Sequence, residues 1–174
     1  MFTAFLIKYA EIGIKGKNRY LFEDALVQQI KYALKKCEGE FKIHKTQGRI
    51  FVDALTEFDF DETVENLKKV FGISGIYPVV SMKDEGFEKL CENVLKYIDD
   101  VYPDKNMTFK VHARRARKNF PKDSMTINME MGEAILKAYP EMHVDVHKPD
   151  MMLNIEIREK IYVYSMIIPG PGGM

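Results

Sequence analysis

A chain of 174 residues has room for one ordinary domain or two small ones. With 46% hydrophobic and 30% charged residues it has the composition of a globular protein, which excludes a disordered one, and no apolar run approaches the roughly 20 residues that span a bilayer. Lys and Arg number 26 and Asp and Glu 26, so net charge names no partner and only its distribution is informative.

The opening MFTAFLIKYAEIG lacks a basic region and a small-residue cleavage site, so it reads as structure rather than as a leader. TAFLIKY (3–9) is rich in strand formers, and AEIGIKGKN then supplies two glycines before a helical pattern begins. Phe22, Leu26, Ile30, Ala33 and Cys37 recur at spacings of three and four, which predicts one apolar helix stripe closed by EGE at 38–40. FKIHKTQGRIFVDA alternates on both sides of Gln47-Gly48, as a hairpin does. After the acidic run EFDFDE (57–62), Val64, Leu67 and Phe71 predict a short second helix. GIYPVVSM (75–82) reads as a fourth strand, and Pro78, which has no N–H to donate, predicts a place at a sheet edge. The order βαββαβ is that of a ferredoxin-like unit spanning residues 1–81.

A second unit, 82–168, follows. Phe87, Leu90, Cys91, Val94, Leu95, Ile98 and Val101 form the strongest helical stripe of the chain. In MTFKVHA (107–113) Met107, Phe109 and Val111 face one way, Lys110 and His112 the other. Pro121 and Asp123-Ser124 signal another helix start, with Ile127, Met131, Ala134, Ile135 and Ala138 on its buried face. MMLNIEIREKIYVYSMII predicts two long strands joined near Glu159-Lys160, and PGPGGM (169–174) reads as a connector. The fold class is therefore α/β, more closely α+β. Cys37 and Cys91 both fall at apolar helical positions, the pattern of buried thiols in a reducing cytoplasm.

The residues offer no catalytic site. GIKGKN (13–18) is not a P-loop, because two residues separate its glycines and Asn18 stands where a magnesium-binding hydroxyl belongs. It leaves Lys15, Lys17 and Arg19 at a helix start, either a generic anion site or a capping turn. HVDVH places His143, Asp145 and His147 on one strand face, but such side chains fan out over about 13 Å, so a solvated face outweighs a metal site. The basic segment is different. Between Lys105 and Lys122 stand seven Lys or Arg and no acid. Such a run repels itself unless something negative approaches, and arginine offers a planar fork suited to phosphate. Phe120 lies within it, either as a ring on which a base stacks or as a hydrophobic anchor ahead of the helix. Lys110 and Lys122 extend the patch.

IKYAEIGIKGKNRYLFE (7–23), FKVHARRARKNFPKDSMTINMEMGEAILKAYP (109–140), VDVHKPDMMLNIEIREKIYVY (144–164) and the final GPGG together resemble the N-terminal half of tRNA 4-thiouridine synthetases of the ThiI type. The resemblance implies a ferredoxin-like domain followed by an α/β THUMP RNA-binding domain. The expected partner is the tRNA acceptor stem with its 3′-CCA end, positioned so that uridine 8 is thiolated. It points to Gly16, Lys17, Asn18 and Arg19 and to Arg114, Arg115, Arg117, Lys118 and Phe120, and with Lys15, Lys110, His112 and Lys122 from the basic patches these make up the candidate RNA-binding residues. His112 stands where the family usually has arginine, which makes its charge pH-dependent. The resemblance assigns no cofactor and no metal to this stretch. ATP and Mg belong to an adenylating domain with an S-G-G-x-D-S loop, which would begin after Met174, and a cysteine desulfurase would donate sulfur to the whole enzyme. It implies a cytoplasmic protein without membrane contact, with a homodimer as one assembly. The alternatives are a THUMP module of another RNA-modifying enzyme, such as a methyltransferase, and a protein-interaction module with an acidic partner.

Overall fold

The computed structural model describes residues 1–9, 17–46 and 48–172. The chain divides into two compact units, Phe2–Val79 joined by residues from Ile167 onward, and Val80–Met166 with Met1.

In the first unit β1 (Ala4–Tyr9), β2 (Phe41–Thr46), β3 (Arg49–Ala54) and the first part of β4 (Ile73–Met82) lie in the order β2-β3-β1-β4, all antiparallel. Helices α1 (Lys17–Leu34) and α2 (Phe60–Leu67) supply the other half of the core. The β2–β3 turn closes at Thr46↔Arg49, and Gly48 takes a φ of 77°, a conformation that a two-residue hairpin requires and glycine adopts without strain. Leu26, Ile30 and Leu34 of α1 pack with Val64 and Leu67 of α2 against Phe5, Ile7, Ile50, Val52 and Ile76. The predicted stripe of α1 is observed, although Cys37 lies past the helix end and reaches the core through a turn in which its N–H bonds the Leu34 carbonyl at 3.1 Å. Asp59 caps α2 by accepting from the Glu62 N–H at 3.0 Å.

Three expectations change here. Phe71 is not part of the α2 stripe; it lies beyond the helix and is 61% exposed. The Pro-Gly tail is not a connector at its start: β9 (Ile168–Pro169) pairs with β4 through Gly75↔Pro169 and Ile76↔Ile168. A Cβ on Gly170 would stand 2.5 Å from the Ile73 carbonyl oxygen, so only glycine lets this backbone lie so close to β4. Consequently β4 is no bare edge. Pro78 pairs with Phe5 and lies between Ile76, the last β4 residue opposite β9, and Val80, the first opposite β8 (Ile161–Tyr164), where a missing N–H breaks neither ladder. Residues 173 and 174 lie outside the described residues.

In the second unit the end of β4, β8, β7 (Met151–Ile157), β5 (Thr108–Arg115) and β6 (His143–Val144) follow one another across the sheet. β5 runs parallel to both neighbours, whereas β7 and β8 are antiparallel. Helices α3 (Phe87–Val101) and α4 (Ser124–Ala138) bury Leu90, Val94, Ile98, Ile127, Met131 and Ile135, and Phe109, Val111, Leu153, Ile155 and Val163 are the buried positions of the strands. Ala138 of the predicted α4 stripe is exposed instead, and Cys91 on α3 is only half-buried. No helix among the described residues is long and apolar enough to cross a membrane.

Candidate nucleic-acid interface

Alternation along β5 divides its side chains at once. Phe109, Val111 and Ala113 are buried, whereas His112 and Arg114 are exposed and Lys110 is partly so. Beyond Phe109, β6 no longer pairs with β5, and helix α4 takes over part of that edge. The Ala113 N–H donates to Asn128 Oδ1 at 2.7 Å and the Arg115 N–H to Ser124 Oγ at 3.2 Å. The side-chain carboxylate of Asp123 caps α4 by accepting from Thr126 N–H at 2.8 Å. Thus the first turns of α4 hold the end of the strand from which the basic loop departs.

The loop itself is tied to the turn after β7. The N–H groups of Ala116 and Arg117 both donate to the Ile157 carbonyl, at 2.9 and 3.0 Å. Arg117 then points inward. Its Nε donates to the Arg158 carbonyl at 2.8 Å, its Nη1 to Asn119 Oδ1 at 2.8 Å, and its Nη2 to Asp84 Oδ2 at 2.6 Å. That ion pair holds the Asp84 carboxyl below its usual range, first through Arg117 and then through the Gly86 N–H. Underneath, Arg158 donates to Glu156 Oε1 at 2.8 Å, Tyr164 donates to the other oxygen, and all three side chains are buried. A buried carboxylate with an arginine and a phenol on it is costly to disturb, which makes the β7–β8 turn a firm support for the loop.

The basic segment is therefore less free than its sequence indicates. Lys122 is paired with Glu130 at 2.9 Å and lies 5.0 Å from the centroid of the Phe87 ring. Arg115 donates through Nη1 to the Phe120 carbonyl at 3.0 Å. Phe120 is only 2% exposed, so its ring is the hydrophobic anchor and is not presented for stacking on a base. Arg114 and Lys118 remain outward, and neither side chain enters an ion pair or hydrogen bond among the described residues. Sequence reasoning missed the partners: Asp84, Asn119, Glu130 and Arg158 lie outside the basic run or carry no charge, and nothing local marks them.

At the other candidate position Lys15 and Gly16 lie outside the described residues, and Lys17 begins α1. Asn18 is exposed. Arg19 is 41% exposed, with Nε 3.6 Å from Glu23 Oε2 one turn along the helix. Glu23 also takes the Tyr9 hydroxyl, and burial, with Glu23 next, pushes the Tyr9 pKa up. The HVDVH segment is a strand only at His143–Val144. Asp145 instead closes a turn, accepting the N–H groups of His147 and Lys148 at 2.9 and 3.0 Å. Among the described residues no three His, Cys, Asp or Glu side chains gather as metal ligands.

Two family models match the chain: the ThiI ferredoxin-like domain over residues 4–76 and the THUMP domain over 85–165. A probable tRNA sulfurtransferase of Lachnospira eligens is 59% identical over the whole chain, which spans 44% of that relative. A crystal structure of a 4-thiouridine synthetase–RNA complex with bound ATP is similar at a TM-score of 0.78 and 30% identity, covering 99% of this chain and 43% of that one. A crystal structure of a Pyrococcus horikoshii protein gives a TM-score of 0.78 at 33% identity, over 99% of this chain and 56% of that one. The chain spans less than half the length of the curated relative it matches. With both domains matched in order, the chain carries the ferredoxin-like domain of the ThiI family followed by a THUMP domain.

Proposed function

We propose that this chain is the tRNA-binding portion of a tRNA sulfurtransferase. It grips the acceptor stem and 3′-CCA end and so presents uridine 8 to an adenylating domain that uses ATP and Mg, with a cysteine desulfurase as sulfur donor and a homodimer as the assembled form. The observation that carries the reading is the end of β5: Arg114 and Lys118 stand outward with side chains unpaired among the described residues, while Arg115, Arg117 and Phe120 hold their backbone in place. A pre-ordered loop with exposed cations binds phosphate without first being ordered by it. The related 4-thiouridine synthetase solved with RNA and ATP supports the choice of ligand. His112 and Lys110 extend the surface along the strand, and Asn18 and Arg19 add contacts at α1.

The test compares intact tRNA with the same tRNA lacking its 3′-CCA, titrated against the chain over a range of salt. The intact form should bind more tightly, and part of the difference should persist at high salt, because bases of a single-stranded end are held by stacking and hydrogen bonds as well as by charge. Equal affinities throughout would remove acceptor-end recognition.

A further inference from the structure

Phe71 follows α2 with 61% of its surface exposed, and Tyr32, on α1, is 67% exposed. Both rings line an open cleft of about 490 Å³ whose apolar lining also includes Ala33 and Val70. Aromatic rings left in water forgo the gain of burial, so two of them on one cleft are surface that the fold itself does not use. Gln28, Gln29, Asn66, Lys36 and Lys69 line the rest, and no carboxylate is among these lining residues. Lys36 Nζ lies 5.6 Å from the centroid of the Tyr32 ring, and Asn66 is fixed by its amide, which donates to the Glu62 carbonyl at 2.8 Å.

We propose that this cleft receives an unstacked base of the bound RNA, with the adjoining phosphate at Lys36 and Lys69, an inference that rests on the RNA-binding reading above. A ring face accepts any base, side-chain amides match the donors and acceptors of base edges, and lysines without a competing carboxylate attract the backbone. The volume is that of a small-ligand site and suits a nucleotide. A docked protein helix would instead need aliphatic pockets at helical spacing, and between the two rings the cleft has only Ala33 and Val70. The site lies at the far end of α1 from Asn18 and Arg19, so it is a contact separate from the helix start.

The test titrates an unmodified tRNA transcript, over a salt series, with wild type, Tyr32→Ala/Phe71→Ala, Tyr32→Phe, Lys36→Gln/Lys69→Gln and Arg114→Ala/Lys118→Ala. Loss of both rings should weaken binding by about five- to 150-fold with the salt slope unchanged. Tyr32→Phe should bind as wild type, and the lysine pair should flatten the slope of log affinity against log salt by about 0.7–0.9 per lost contact. The substituted side chains of the cleft are solvent-facing, so melting curves should not move. If the ring variant binds as wild type while the Arg114/Lys118 variant is weakened, the cleft proposal falls and the RNA reading stands. If wild type itself has no affinity for tRNA at low salt, both fall. Unchanged RNA affinity together with an altered oligomeric state would assign the cleft to a protein contact, which also overturns the proposal.

Discussion

Arg114 and Arg117 are three residues apart in the same basic run, yet they have opposite surroundings. Arg114 projects from the end of β5 with no ionic or hydrogen-bonding partner among the described residues. Arg117 is held by the Arg158 carbonyl, Asn119 and Asp84, and Phe120 beside it is buried. The difference teaches that density of charge in a sequence is not charge available to a ligand. In this loop one set of side chains builds the platform and another stands on it.

The largest expected effect tests the inward set. Phe120→Ala removes a ring that is 2% exposed and should cost about 3–5 kcal/mol of stability, read from the urea midpoint. A variant of unchanged stability that nevertheless lost RNA affinity would reverse the division, making Phe120 a contact rather than a support.

Next comes the outward set. Arg114→Ala/Lys118→Ala should keep the wild-type midpoint to within about 0.5 kcal/mol. Its affinity for tRNA near 0.1 M salt should fall about tenfold or more, with the salt slope flattened by about 0.7–0.9 per contact. An unaltered slope would return both residues to ordinary solvated surface.

The smallest effect sharpens the boundary between the sets. Asp84→Asn breaks the ion pair with Arg117, and because both side chains are about a quarter exposed the loss should stay near or below about 1 kcal/mol. The Asp84 pKa is depressed in the folded chain, so its contribution is complete above the unfolded value of about 3.9 and is lost as pH falls through the lower folded value. Wild type should therefore exceed Asp84→Asn in stability at pH 7, with the gap closing as the solution is acidified below about pH 4. A gap that widens on acidification, or no gap at pH 7, would show that the Asp84–Arg117 pair does not stabilise the loop.

Much of the molecule was legible in the sequence because the signals were local. The βαββαβ order, the hairpin that closes at Thr46↔Arg49, the start of α4 at Asp123 and the in-out division of β5 all follow from periods of two or 3.6 residues and from turn and cap residues. The basic segment's position between a strand and a helix was equally plain. What tertiary structure alone decided were the partners across long separations. Asp84 stands 33 residues before Arg117 and Arg158 stands 41 after it, so no local pattern could say which arginine Asp84 would neutralise or which side chain the Arg158 carbonyl would accept from. Phe71 and Phe120 show the same limit from the apolar side. Each is a phenylalanine beside a helix, but one is left open on a cleft and the other sealed, because burial depends on which distant elements the fold brings over the ring. The tail at Ile168–Pro169 reads locally as a breaker, yet it pairs with β4 because an unpaired strand edge offers backbone hydrogen bonds to any segment that topology brings alongside. Periodicity acts within a turn or two of chain; neutralisation, burial and edge pairing act through space.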